Sequence, residues 1–301
     1  MKILVAHNFK IHNKRAVENY ALSMIRDLRF RGHEVFETVK TPPHHASKMY
    51  EGMDFLLDID CGRDSNGNLN WHGQERKPKI KSAVYLIDSH GYPSLHHRIS
   101  KNYDHVFFAV WDKRDLFTDH PSAHWCPNFT DHAWFDGDAY RLTKPVFDFG
   151  FFGSKGGLSR AKPLSEIAEK NGWTADVRQI NIGDRHRWPA TAEEMAKCRF
   201  LFNHGQKHDG PNLRVMESMC MLRPLITDQD PRSGMDKLFQ PWTHYVPYEA
   251  YTYEGLEKAM TWCMEHPDAA KEVARFAYDE VKAKHLVKNR MDQILEVVNG
   301  A

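Results

Sequence analysis

The sequence predicts an α/β protein with two domains, each built around a parallel β-sheet. Short apolar, β-branched runs alternate with longer stretches of helical periodicity, which is typical of βαβ units. The same alternation restarts around Lys144-Pro145. A chain of 301 residues can bury two cores, since a domain usually contains roughly 100–200 residues. We therefore expect domains at 1–143 and 144–280, with a helical segment at 281–301.

The first domain opens with a strand at 2–6, a helix at about 16–31 and a second strand beginning at 34. Gly32-His33 separates the helix from the second strand, so these 40 residues form a βαβ unit. Three further apolar runs predict strands at 55–59, 83–87 and 106–110. Ligands of parallel sheets bind beyond the carboxyl ends of strands, so the loops after these runs are candidate sites.

The second domain begins with a predicted strand at 146–152, a glycine-rich turn at 153–157 and a helix at 163–171. The pattern continues with strands at 177–182, 200–203 and 224–227 and helices at 192–198 and 213–221. Residues 267–298 have helical periodicity throughout.

Composition excludes several function classes. Forty-one Lys and Arg residues balance 40 Asp and Glu residues, so no overall basic field favours nucleic acid or an anionic membrane. No run approaches the ~18 apolar residues of a membrane helix. Five cysteines without a C-x-x-C pair indicate reduced thiols. We expect a cytoplasmic protein that does not insert into membranes.

A metal site is not expected, although the chain has 19 histidines. The pairs His120/His124 and His204/His208 have H-x3-H spacing, which suits a metal only when both rings lie on one helix face. Pro121 and Gly205 interrupt both segments, so neither pair is expected on a continuous helix.

The most informative segment is the loop that leads into the helix at 213–221. Free amides near Asn212, Leu213 and Arg214 lie at the positive end of that helix and suit a phosphate. Glu217, one turn further along, can accept hydrogen bonds from two sugar hydroxyls. The alternative is that Asp209 caps the helix and Glu217 is a solvated helix residue.

The pattern Asp209-Gly210-x-Asn212-x-Arg214-x-x-Glu217 resembles the E-x7-E motif of retaining GT-B glycosyltransferases, and most closely its variant in CgeB-like enzymes. The resemblance implies that Asp209 faces the donor sugar. It further implies that the backbone at Asn212, Leu213 and Arg214 holds the diphosphate and that Glu217 holds the ribose. Two departures stand out: Asp replaces the first Glu, and Leu222 occupies a position where a helix-ending Gly is common.

The resemblance also implies an architecture and a mechanism. A GT-B protein has two Rossmann-like domains that face each other across the active cleft, and segment 281–301 is expected to pack toward the first domain. The implied donor is a UDP-sugar, transferred with retention and without a cofactor or bound metal. Helix N-termini and Arg160 would stabilise the leaving diphosphate instead, and the sequence contains no D-x-D motif.

Other candidates lie in loops after predicted strands. Gly153 and Ser154 permit close approach of the backbone to a ligand, and Arg160 can neutralise the diphosphate. Gly183 follows the strand at 177–182, where such enzymes present main-chain groups to the base. For the glycine-rich segment, the alternative is an ordinary turn.

His90 follows the predicted strand at 83–87 and is the catalytic candidate of the first domain. The resemblance implies a position near the donor sugar, where a histidine can orient the sugar or stabilise charge. The alternative is a loop histidine that caps a helix or is solvated.

The acceptor is open between a glycan, a protein, a metabolite and a hydroxymethylated DNA base. The balanced charge argues against DNA, although local basic stretches such as 76–81 can contact phosphates. A different class of function, a non-catalytic protein that binds sugar nucleotides, retains the same helix without turnover.

Overall fold

The computed structural model describes residues 1–7, 18–39, 47–60, 78–87, 89–153, 155–180, 187–205, 210–249 and 252–300. The chain forms two compact units. Unit 1 contains Met1–Pro127 and Val287–Ala301, and unit 2 contains Asn128–Leu286.

Unit 1 is built on a six-stranded sheet in the order β2-β1-β3-β4-β5-β6, with every neighbouring pair parallel. Its elements are β1 (Lys2–His7), α1 (Glu18–Phe30), β2 (Glu34–Val39), α2 (Ser47–Tyr50), β3 (Phe55–Asp60), β4 (Lys81–Leu86), α3 (Pro93–Ser100), β5 (His105–Phe108) and β6 (Ala123–Trp125). All of β1 except Lys2 is buried, as expected for a strand covered on both faces.

Unit 2 is built on a five-stranded parallel sheet in the order β11-β10-β9-β7-β8. Its elements are β7 (Phe147–Gly153), α4 (Lys155–Lys170), β8 (Ala175–Gln179), α5 (Arg187–Ala196), β9 (Cys198–Asn203), α6 (Leu213–Cys220), β10 (Leu225–Gln229), α7 (Met235–Leu238), β11 (Val246–Glu249), α8 (Tyr253–Glu265) and α9 (Pro267–Lys284). Helices α4 and α8 contribute to one hydrophobic cluster and α5 and α6 to another.

The units divide at different residues from those expected. Segment 128–143 belongs to unit 2, because Phe135 is buried in the cluster that contains α6 and its carbonyl accepts a hydrogen bond from the Cys220 thiol (2.9 Å). Unit 2 also extends to Leu286 instead of ending at 280.

The stretch predicted to be helical at 267–298 forms two helices. The chain breaks at His285–Leu286 between α9 and a further helix, α10 (Val287–Gly300). The His285 carbonyl accepts a hydrogen bond from the Thr130 amide (3.1 Å), and Leu286 forms a β-bridge with Thr130. The backbone therefore leaves the helical conformation here, and within unit 1 helix α10 packs against α1 and β5.

The glycine-rich turn is shorter than expected. Helix α4 begins at Lys155 and includes Gly156 and Gly157, so residues predicted to turn form its first turn instead. Pro163 lies inside this helix, whereas the sequence suggested it as the helix start because proline is favoured in a first turn. Two strands, β6 and β11, and four helices, α2, α3, α7 and α8, were not predicted.

Within the described ranges, no helix combines the length and the apolar character required to cross a membrane. Four cysteines in those ranges are buried and unpaired, namely Cys126, Cys198, Cys220 and Cys263.

Candidate functional site

Several chemically active side chains of unit 2 meet at the carboxyl edge of its sheet. Strand β7 ends at Gly153 and β9 at Asn203, and Thr227 lies near the end of β10. Helix α6 begins beside them at Leu213. Parallel strands place ligands at this edge.

The start of helix α6 is fixed by hydrogen bonds on both sides. The Asn212 side chain caps the helix by accepting from the Val215 amide (3.3 Å), and its Nδ2 donates to Asn203 Oδ1 (3.2 Å). Before the helix, the buried Asn128 donates from Nδ2 to the Pro211 carbonyl (2.9 Å). The first amides of a helix have no acceptor within it, so this rigid helix start is suited to an anion.

The side chain of Arg214 braces α6 against the end of β7. Its Nε donates to the Phe152 carbonyl and its Nη1 to Asn203 Oδ1 (3.2 Å). Its guanidinium carbon lies 4.5 Å from the centre of the Phe151 ring. A Cβ on Gly153 would stand 2.7 Å from Arg214 Nη2, so glycine at 153 gives this guanidinium its space.

Glu217 is a half-buried carboxyl next to this braced helix start. Burial raises its pKa to about 7, while the positive charge of Arg214 acts in the opposite direction. Its oxygens have no hydrogen-bond partner among the residues that the structure describes. The residue is thus not fully solvated, and a partly dehydrated carboxyl with free acceptor positions is suited to bind hydroxyl groups.

A polar network joins the neighbouring strand ends. Arg160 Nη1 donates to the His204 carbonyl (2.9 Å), and the Gly205 amide donates to Asp228 Oδ1 (2.8 Å). His204 Nδ1 pairs with the Tyr248 hydroxyl, and burial lowers the pKa of His204 against the opposing effect of Asp228. These contacts hold Arg160 at the same sheet edge.

Asn203, Thr227 and Asp228 were not predicted as site residues, and His204 was a candidate only through its H-x3-H spacing with His208. Asn203 Nδ2 donates to Thr227 Oγ1 (3.0 Å), and a small cavity at this edge is lined partly by Asn203, Thr227 and Asp228. A usable signal existed, because each of these residues closes or follows a predicted strand.

Six predicted residues lie together at this edge in unit 2: Gly153, Arg160, Asn212, Leu213, Arg214 and Glu217. The predicted residues Asp209, Ser154 and Gly183 lie outside the described residues. Within those described, no group of three or more His, Cys, Asp or Glu residues is arranged to hold a metal ion.

His90 lies in unit 1, in the turn between β4 and α3. Its Nδ1 is buried and has no hydrogen-bond partner among the described residues. Burial lowers its pKa from 6.5, and the charge of Lys113 lowers it further, so the ring is neutral at pH 7. It does not cap α3, whose N-cap is Tyr92.

A family model described as glycosyl transferase-like matches residues 138–296, which is more than half of the chain. No curated protein matches the chain.

Solved structures that resemble the chain share its fold at low sequence identity. Sucrose-phosphate synthase from Thermosynechococcus elongatus superposes with a TM-score of 0.66 at 10% identity, over 98% of each chain. Anabaena HepE in complex with UDP gives 0.64 at 11%, over 100% of each chain. An alpha-glucosyltransferase in complex with UDP and a mismatched 13-mer DNA gives 0.63 at 12%, over 99% of each chain.

Proposed function

We propose that this chain, which belongs to the glycosyl transferase-like family and has the GT-B fold, transfers a sugar from a UDP-sugar to an acceptor hydroxyl. The observation that carries this proposal is the start of α6. There the start of a helix, capped by Asn212, stands about one turn from the partly dehydrated carboxyl of Glu217. A helix N-terminus suits a diphosphate and a nearby carboxylate suits ribose hydroxyls, so the two groups match adjacent parts of a nucleoside diphosphate.

The described residues take separate roles in the proposed donor site. The amides of Leu213 and Arg214 bind the diphosphate, and Glu217 accepts hydrogen bonds from the ribose hydroxyls. Asn212 and the Arg214 side chain hold these groups in place through their contacts with β7 and β9. Arg160, at the same sheet edge, contributes positive charge toward the leaving group.

Further roles complete the proposal. Asp209 faces the donor sugar, Ser154 approaches the phosphates and Gly183 presents its backbone to the base. His90 acts on the reacting sugar. Its neutral ring has a free nitrogen, so it can donate or accept a hydrogen bond without bringing a second positive charge to the oxocarbenium-like transition state.

The mechanism proposed is transfer with retention and without a bound metal ion. The positive end of α6 and the Arg160 guanidinium supply the electrostatic stabilisation that the departing diphosphate needs. We also propose that the chain is related to CgeB-like glycosyltransferases. The support is the spacing of four residues that match the motif of those enzymes, namely Asp209, Asn212, Arg214 and Glu217. The choice of uridine is supported by UDP in the HepE and alpha-glucosyltransferase complexes.

A second candidate concerns the acceptor. One structural relative is an alpha-glucosyltransferase bound to UDP and DNA, which favours a hydroxymethylated DNA base as one acceptor to assay. The proposed transfer also includes hydroxyl groups of glycans, proteins and small metabolites as acceptors to assay. We place the reaction in the cytoplasm, in keeping with buried, unpaired cysteines.

The experiment that tests the function is a screen of nucleotide sugars. For each donor, slow hydrolysis and the shift in melting temperature are measured with and without EDTA. We expect stabilisation by UDP and one UDP-sugar and hydrolysis that survives EDTA. Stabilisation without hydrolysis or transfer to any acceptor would identify a non-catalytic binding protein. Activity lost with EDTA and restored by Mn²⁺ would overturn the metal-free mechanism.

A further inference from the structure

A second cavity of unit 2 lies at the amino edge of its sheet, opposite the proposed donor site. Phe200 near the start of β9 and Pro224 just before β10 line it, whereas Asn203 and Thr227 on the same strands line the donor edge. Phe200 and Asn203 lie three positions apart on β9 (Cys198–Asn203), which is roughly 10 Å at the usual rise per residue. A ligand in this cavity is therefore separate from the donor.

The charged residues that line the cavity are all cationic. They are Arg141, Arg199, Arg223, Lys271 and Arg275, and no acidic residue in the described part of the chain lines it. Three of them are neutralised at its rim: Arg199 pairs with Asp148 (2.9 Å), Lys271 with Asp268 (2.8 Å) and Arg275 with Asp279 (3.2 Å).

Arg223 is held by hydrogen bonds and forms no ion pair among the residues that the structure describes. Its Nη2 donates to the Ala196 carbonyl (2.9 Å) and the Thr143 carbonyl (3.4 Å), which immobilises the guanidinium. Its Nε is buried and has no hydrogen-bond partner among the described residues. Burial also lowers the pKa of Arg223, because the neighbouring carbonyls do not offset the lost hydration of the charge as an anion would.

Arg141 is an exposed cation that forms no ion pair within the described part of the chain. The nearby Asp138 is already occupied, since it accepts from the Tyr278 hydroxyl (2.8 Å) and pairs with Lys282 (3.5 Å). The cavity therefore has two guanidinium groups that form no ion pair among the described residues, one held by hydrogen bonds at Arg223 and one exposed at Arg141, whose charge acts on Asp138 only at a distance.

We propose that this cavity binds a phosphate monoester with an apolar body. A monoester carries a charge of about −1.5 to −2 at pH 7, which matches two guanidinium groups, whereas each phosphodiester of a nucleic acid carries only one. Arginine binds phosphate through parallel hydrogen bonds. Phe200, Pro145 and Pro267 supply the apolar wall for the remainder of the ligand.

The test uses phenyl phosphate as the probe, titrated calorimetrically into the whole chain with and without saturating UDP. We expect binding in both conditions, weaker binding of inorganic phosphate and none of phenol. Arg141→Gln should weaken phenyl phosphate binding by roughly tenfold or more, because a charge-assisted pair is lost. Lys258→Gln is the matched control, since Lys258 is exposed on α8, pairs with Glu254 (2.7 Å) and does not line the cavity.

Arg223→Gln should weaken phenyl phosphate binding to the same extent, provided that its melting curve shows a folded protein. If Arg223→Gln does not fold, Arg141→Gln alone tests the proposal. Undetectable binding of phenyl phosphate, or equal binding by the wild type and Arg141→Gln, would overturn the proposal. Displacement of phenyl phosphate by UDP or loss of its binding in Asn212→Ala would assign it to the donor edge. Tighter, Arg141-dependent binding of duplex DNA would make this a nucleic-acid surface and would also overturn the proposal.

Discussion

Gly153 and Arg214 are in close contact although they are 61 positions apart in the sequence. A Cβ built on Gly153 would lie 2.7 Å from Arg214 Nη2, and the same guanidinium donates to the carbonyl of Phe152, the residue before Gly153. The glycine that ends β7 therefore allows α6 to be fastened to the sheet. The start of α6 depends on this contact for its position.

Gly153→Ala should destabilise the protein and weaken UDP binding together. The added methyl group would also stand 2.8 Å from the buried Phe151 ring, so overpacking should cost about 1–3 kcal/mol. Urea denaturation and calorimetric titration with UDP measure the two effects. Gly300→Ala is the control, because a Cβ there meets nothing within 4 Å. Unchanged UDP affinity in Gly153→Ala would show that the brace does not position the donor site.

Glu217→Ala should weaken UDP binding by roughly ten- to a hundred-fold, because hydrogen bonds from the ribose to a carboxylate are lost. Calorimetric titration measures the change, and Glu193→Ala on α5 serves as a carboxylate control. An affinity equal to that of the wild type would remove Glu217 from the donor site.

The raised pKa of Glu217 also predicts a pH dependence of stability without donor. The folded protein retains this proton up to about pH 7, whereas the unfolded chain releases it near the ordinary glutamate pKa of 4.5. Between these values the folded state binds more protons, so the contribution of Glu217 to the free energy of unfolding falls as pH rises. Urea denaturation from pH 4.5 to 8 should show this decline, and Glu217→Gln should remove it. A decline of the same size in Glu217→Gln would assign it to other groups.

Much of the fold follows from local patterns, and much of the site follows from one motif. Continuous apolar strands such as β1 and the periodic face of α1 are local signals, so both elements were predicted. The break at His285–Leu286 depends on pairing with Thr130, more than 150 positions away, and a helical period cannot reveal such a contact.

The site divides in the same way. The helix start at Asn212 has a local capping signal, but the bracing role of Arg214 depends on the spatial neighbours Phe151, Phe152 and Asn203. The turn after α6 shows a related effect. Leu222 adopts a φ of +54°, a conformation that favours glycine. Gly137 leaves space for the Leu222 side chain, because a Cβ on Gly137 would lie 2.4 Å from Leu222 Cβ.

His90→Ala should slow the chemical step far more than it lowers UDP affinity. His90 belongs to unit 1, whereas the residues proposed to bind UDP belong to unit 2, so the variant should leave the diphosphate and ribose contacts intact. An interaction made mainly in the transition state lowers the rate and spares ground-state binding. The buried Nδ1 has no hydrogen-bond partner among the described residues, so it can provide such an interaction, and its loss should change the melting temperature little.

Single-turnover rates, UDP titrations and melting curves of His90→Ala separate these effects, with His97→Ala on the adjacent helix α3 as the control. A normal single-turnover rate in His90→Ala would remove this histidine from the proposed mechanism, and a large loss of stability would make it a structural residue.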